Sequence, residues 1–309
     1  MRSRRQCSYV EVQAELDEGR APEWLELLQE VGLKRIALER DRGGASLNRP
    51  DEEVRLEDGR YILTRRQPLP VEGWNAQLSL MTGMAAAKFM LDGRVGILRT
   101  MPAPDEETIA RFRRQVDALG VPWSPDLQYG EYLRTLDPSK AQHLAVIHAA
   151  ASLFRGAGYT AFDGDLPDDT TQAAVAAPYA HATAPLRRLV DRFVLVTCEA
   201  LCLGREVPQW VRDALPELPR FMASSDGKAN QLEAQSLNAI EAALLSSRVG
   251  DVFDAVVVQT KEGGGVIQLT DPVVTAFMEG SAPPGKRVRA VLVTADIAAG
   301  EVLFRRAAD

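Results

Sequence analysis

The chain has 309 residues, 46% apolar and 26% charged, enough for one large core with a small appended domain, which excludes a disordered polypeptide. Its formal net charge of −7 argues against nucleic acid as a partner, because phosphate binding is driven by Lys and Arg, although net charge is not local charge. No apolar run reaches the roughly 18 residues that cross a bilayer, and the basic start MRSRRQCSYVEVQ leads into no apolar signal core, so the expected location is cytoplasmic, with no membrane partner.

In chain order, residues 8–19 and 22–40 read as two helices, the second closed by Gly43 and Gly44. Residues 53–66 alternate apolar and polar side chains around Asp58-Gly59, which predicts a hairpin pairing Val54 and Leu56 with Tyr61 and Leu63. From Asn75 to Leu91 the chain is apolar nearly all round and rich in small residues, which predicts a buried, closely packed helix; Gly93 ends it and RVGILRT follows as a strand. PDEETIARFRRQVDALG reads as an exposed helix with acids in its first turn. A helical stretch from Ser139 to Ala157 leads through Gly158 into the strand YTAFD and the loop GDLPDDTTQ. His143 and His148 fall in the apolar part of that stretch and read as packed or partly exposed histidines, not catalytic ones. Asp163, Asp165, Asp168 and Asp169 are interleaved with Gly and Pro and read as an exposed turn, so no metal site is assigned to them. Three cysteines are too few for a disulfide framework, and Cys198 and Cys202 are expected on the inner face of one helix. A long helix is expected from about Ala229 to Arg248.

After Gly250, short β-branched runs separated by Gly, Pro and acidic turns predict a small closed barrel of the OB type. About half of its aromatics, Phe253, Phe277 and Phe304, belong in a core, which leaves little for base stacking. Arginines cluster at Arg2, Arg4 and Arg5, at Arg65 and Arg66, at Arg111, Arg113 and Arg114, and at Arg187, Arg188 and Arg192; each run alone reads as a solvated face.

The segment that carries chemistry is Tyr179-Ala-His181-Ala-Thr183-Ala-Pro185-Leu-Arg187-Arg188. Proline is preorganised for the first position of a helix, whose free N–H groups and positive dipole end attract anions, and Arg187 would add a planar fork suited to phosphate. Asp191, four residues on, would share a helix face with Arg187 and orient it. The bland alternative is a helix start whose arginines face water.

The string YAHATAPLRRLVD resembles the signature of the ribonuclease II family of exoribonucleases, and RSRRQCSYVEVQ, NAQLSLMTGMAAA and RVGILRTMPAPDEE resemble further segments of it, so that nearly the whole chain is covered. The resemblance implies an α+β fold: part of a catalytic domain of the RNB type over residues 1–248, then an S1-like OB barrel over 249–309. It implies 3′-to-5′ hydrolysis of single-stranded RNA, with Arg187 as the catalytic phosphate contact and Tyr9, Gln77, His181, Thr183, Arg188 and Glu233 as RNA-binding residues. It also implies magnesium, held in the family by aspartates upstream of the tyrosine segment, so no metal ligand is expected in this chain. A missing N-terminal segment or a companion chain would supply them. The sequence departs from the family at Ala184, where a serine is usual, at Leu189 in place of a tyrosine, at Asn75, Ala76 and Gln77 in place of glutamates, and at Leu47 in place of a stacking aromatic. Those departures favour, as the rival reading, a non-catalytic RNA-binding or regulatory remnant.

Overall fold

A computed structural model describes residues 2, 5–45, 51–57, 60–66, 68–272 and 274–307. Helices and strands are mixed along the chain, an α+β architecture that ends in a closed barrel, as expected. The chain divides into two compact units, one of Met1–Ala45, Pro68–Ala103 and Phe154–Ser224, the other of Ser46–Gln67, Pro104–Leu153 and Ser225–Asp309.

The first unit opens with helices α1 (Tyr9–Asp17) and α2 (Glu23–Asp41). Ser8 caps α1 through a capping box with Glu11, satisfying amides that the first turn leaves orphaned. Helix α3 (Pro70–Asp92) starts with proline at its first position and packs along α2. Val12, Leu25, Val71 and Trp74 form the small core between these helices. Gly32 sets the approach of α2 to α3, since a Cβ there would lie 2.3 Å from that of Trp74. Helix α3 is not buried all round: Val71, Trp74, Gly83, Ala86, Ala87 and Met90 face inward, whereas Met81 and Phe89 are exposed. Its first half gives Val71 and Trp74 to the small core with α1 and α2, and its second half gives Ala86, Ala87 and Met90 to the main core, so the buried side changes along the helix.

Strand β3 (Val95–Thr100) pairs antiparallel with β4 (Gly158–Asp163), and short strands β5 (Thr171–Gln172) and β6 (Ala177–Pro178) follow. Helices α7 (Leu189–Cys202), α8 (Gln209–Ala214) and the start of α9 (Leu218–Leu245) complete the main core with Met90, Ile97, Leu98, Val194, Val211 and Leu218. Cys198 packs against this core as expected, and burial pushes its thiol up to about 11, but Cys202, at the end of α7, is exposed. Helix α9 begins eleven residues before the position the sequence suggests. Pro219 stands where a helix start tolerates it, and the weak helix formers Ser224, Ser225 and Gly227 disguise the helix.

In the second unit, β1 (Asp51–Glu57) and β2 (Arg60–Arg66) form the expected hairpin with Val54 opposite Leu63 and Leu56 opposite Tyr61. The Asp58-Gly59 turn, Leu47 and Arg4 lie outside the described residues. Helix α4 (Glu106–Ala118), capped by Asp105, is exposed on one side only, because Phe112 and Val116 are buried. Phe112 meets Trp123 and Tyr132, the latter from α5 (Tyr129–Arg134), and the Arg113 guanidinium lies 3.8 Å from the Trp123 ring centre, so that arginine is partly structural. Helix α6 (Ala141–Ala150) carries His143, whose Nδ1 accepts the Asp137 amide at 3.0 Å, a packed histidine as expected.

The barrel consists of β7 (Val252–Lys261), β8 (Gly264–Leu269), β9 (Thr275–Glu279), β10 (Arg287–Asp296) and β11 (Glu301–Arg306). Its closed order β7-β8-β9-β11-β10, with β9 and β11 parallel and the other pairs antiparallel, is that of an OB fold. Phe253 and Phe304 meet edge to face in its core at 5.7 Å, and Phe277 is only half-buried.

Candidate nucleic-acid interface

Helix α3 organises the first unit's site. Asn75, Ser79 and Gly83 are spaced by four residues, which places them on one stripe about 6 Å apart along the axis. Each holds a different part of the sequence motifs. Asn75 donates from Nδ2 to the Tyr9 hydroxyl at 2.9 Å, and the Ser79 and Thr183 hydroxyls lie 2.7 Å apart. Gly83 accepts the Ala180 amide at 3.1 Å, and a Cβ at this position would lie 2.2 Å from the Tyr179 ring. So Tyr9 and the segment 179–183, distant in sequence, are brought to neighbouring turns of one helix.

Strand β3 fixes the same segment from the other side, the Arg99 amide donating to the Tyr179 carbonyl at 2.8 Å. Arg99 stands opposite Tyr159 in the β3–β4 register, with its guanidinium 4.6 Å from the centre of the Tyr159 ring. The Tyr159 hydroxyl lies 2.8 Å from His181 Nδ1, and the His181 ring also meets Tyr179 edge-on. Burial, followed by the charges of Arg188, Arg99 and Arg187, holds His181 down to about 4. It is therefore neutral at pH 7, a hydrogen-bonding group that supplies no positive charge.

The helix start differs from expectation. Pro185 opens a turn, not a helix: the Arg187 and Arg188 amides both donate to the Ala184 carbonyl, at 3.2 and 3.0 Å, and α7 begins only at Leu189. Arg188 is the N-cap, with φ −122° and ψ 121°, and this extended residue breaks the helical spacing that would have put Arg187 over Asp191. Asp191 instead grips Arg188, Nε at 2.9 Å and Nη2 at 2.8 Å, and accepts the Ala184 amide at 2.7 Å. It is wholly buried, so a carboxylate that must find donors sets the conformation of the turn. Arg192 ties the same turn down by donating from Nε to the Pro185 carbonyl at 2.9 Å.

Two arginines of the run are thus structural. Arg187 is exposed, its guanidinium has no hydrogen-bond or ion-pair partner among the described residues, and it is near enough to lower the basicity of His181. The structure therefore brings together Tyr9, His181, Thr183, Arg187 and Arg188. Gln77 is not with them: it is buried and turned to α2, donating from Nε2 to Glu39 at 2.5 Å. Glu233 is exposed on α9 and belongs to the second unit. Ser79, Arg99 and Tyr159 were not legible as site residues, although the alignment of RVGILRT against YTAFD as paired strands would have placed Arg99 over Tyr159.

Among the described residues, no three His, Cys, Asp or Glu side chains converge as a metal site. Asp163, at the end of β4, is paired with Arg212 of α8, and in the loop that follows Asp169 accepts the Thr171 amide at 2.8 Å, so both acids have structural partners. The donors among the described residues do not fit a magnesium ion.

The model of the RNB domain matches residues 1–202, and that of the RNase II-type exonuclease C-terminal S1 domain matches residues 251–307. No curated protein matches the sequence. Among solved structures, RNase R of Mycoplasma genitalium in complex with ribose-methylated single-stranded RNA is similar over 97% of this chain and 53% of that one, with 13% identity and a TM-score of 0.82. An active-site mutant of the Dss1 exoribonuclease of Candida glabrata is similar over 98% and 38%, with 14% identity and a TM-score of 0.73. Yeast Ssd1, a pseudonuclease, is similar over 92% and 37%, with 14% identity and a TM-score of 0.59. The chain thus spans about half the length or less of the structures it resembles.

Proposed function

Because this chain belongs to the RNB family, we propose that it is the RNA-handling portion of a 3′-to-5′ exoribonuclease acting on single-stranded RNA, with residues 1–248 forming the RNB part and 249–309 the S1-like barrel. The observation that carries this reading is Arg187, without a side-chain partner among the described residues and presented by a turn that Asp191, Arg188 and Arg192 tie down. A guanidinium with its hydrogen-bonding edge free and its backbone fixed loses little entropy on binding a phosphate. Arg187 neutralises charge on a phosphate of the strand, Tyr9 lines the path one helical turn away, and neutral His181 positions itself through Tyr159 without competing for the phosphate. Thr183 adds a hydroxyl beside Ser79, and Arg188 acts chiefly by shaping the turn. In the family, magnesium supplies activation of water and stabilisation of the leaving oxygen. Its ligands come from outside these 309 residues, and this chain alone is impaired in hydrolysis.

A second reading, a non-catalytic RNA-binding or regulatory protein, is favoured by the lack of a metal-binding cluster among the described residues and by the likeness to a pseudonuclease. Incubation of the chain with 5′-end-labelled single-stranded RNA in magnesium, alongside filter binding, separates the two. Shortening from the 3′ end supports the nuclease reading, binding without shortening supports the second, and no binding defeats both.

A further inference from the structure

Many cations of the second unit are paired: Arg134 with Glu131, Arg248 with Asp251 and Arg305 with Glu279. The edge of the barrel formed by β7 and β10 is different. Lys286, Arg287 and Arg289 are exposed there, and their side chains have no hydrogen-bond or ion-pair partner among the described residues. They line a groove of about 400 Å³, in which Asp254, opposite Arg289 in the strand register, is the one acid among the lining residues. A second hollow of about 180 Å³, between the start of α6 and the barrel, shares Thr270 and Arg287 with the first and continues to Ser139. Arg287 and Arg289 project from the same face of β10, ~6.6 Å apart along the strand, a step comparable to that between phosphates of an extended polynucleotide.

OB barrels commonly receive nucleic acid on their second and third strands, here β8 and β9. In this chain α9 meets that side at β9, and acids line the hollow there. Glu241 of α9 accepts the Thr275 amide at 3.2 Å, and Glu241 and Asn238 line the hollow beside Phe277. Gln268 is buried and Glu279 is engaged by Arg305. Glu241 and Glu301, the acids that line that hollow, disfavour phosphate, while the cations of the β7–β10 groove attract it. No aromatic side chain lines the groove, so it offers no platform for bases.

We infer that the β7–β10 groove binds the sugar-phosphate backbone of single-stranded RNA, independently of base sequence, through Lys286, Arg287 and Arg289. This rests on the RNA reading above and adds to it a second contact surface on the barrel. Binding of the full chain to a labelled oligouridylate, titrated with salt, tests it with the double variant Arg287→Gln/Arg289→Gln and, separately, Arg187→Gln. Loss of two phosphate contacts flattens the slope of log K against log salt by about 1.4 and weakens binding about 25-fold at 0.1 M salt. An unchanged slope in the double variant, with Arg187→Gln weakened, overturns the groove and leaves the functional reading standing. Absence of RNA binding by the wild-type chain overturns both. Poly-glutamate that competes as well as oligouridylate, through the same two arginines, overturns the assignment to a polynucleotide in favour of an acidic protein partner.

Discussion

Asp191→Ala removes the carboxylate on which the Ala184–Arg188 turn is built. The side chain is wholly buried and serves three donors: the Ala184 amide at 2.7 Å and two nitrogens of Arg188 at 2.8 and 2.9 Å. Removing one member of a buried pair costs about 3–5 kcal/mol, because the other charge is left uncompensated. Arg188 retains 17% of its side-chain exposure, so water recovers part of its solvation and the lower end of that range, about 3 kcal/mol, is expected. Against a total stability of about 5–15 kcal/mol this is a large fraction. Urea denaturation followed by circular dichroism should show a lower midpoint for Asp191→Ala. In a double-mutant cycle, the same change made in an Arg188→Met background should cost less, by about 1–3 kcal/mol, since the stranded guanidinium is gone. A single-variant loss below about 1 kcal/mol, or additive losses in the cycle, would refute the view that this pair sets the turn.

Gly83→Ala should destabilise the first unit by about 2 kcal/mol or more, since the new methyl meets the Tyr179 ring and the Ala180 carbonyl at 2.2 and 2.4 Å, and a thermal melt reads this directly. His181 has a folded pKa of about 4, below the ordinary 6.5, so it withholds a proton that the unfolded chain takes up. Its contribution is therefore complete above pH 6.5 and declines as pH falls from 6.5 to 4, by at most about 3 kcal/mol. Denaturation across that window should be less pH-dependent in His181→Gln than in the wild type; parallel curves would contradict the assignment. Arg187→Gln, at an exposed side chain with no partner among the described residues, should leave the melting temperature within about a degree while weakening RNA binding about 5-fold at 0.1 M salt, one phosphate contact's worth.

Elements with strong local signals were legible in the sequence: the hairpin around residues 58–59, helices α1 to α3, the strand after Gly93 and a barrel after Gly250. What was hidden depended on tertiary contacts. Proline at 185 is as compatible with a turn as with a first helical position, and the choice fell to a buried Asp191 that takes its donors from upstream of the helix. Strand β9, TAFME, is too short and mixed to stand out, and becomes a strand because β8 and β11 flank it. Of the candidate site, Tyr9, His181, Thr183 and Arg187 are proposed from the family resemblance, but their common support, the Asn75–Ser79–Gly83 stripe of α3, appears only once the helix is folded against both segments. Gln77, two residues from both Asn75 and Ser79, falls on the far side of α3 from that stripe and is turned inward to Glu39.

Photocrosslinking of single-stranded RNA carrying 4-thiouridine, with the adducts mapped by mass spectrometry, bears most directly on whether the α3-supported face receives a polynucleotide. Adducts at Tyr9 and within residues 179–188, lost on competition with unlabelled RNA, are the predicted result. Efficient adducts found solely on the barrel, with none in either segment, would contradict it.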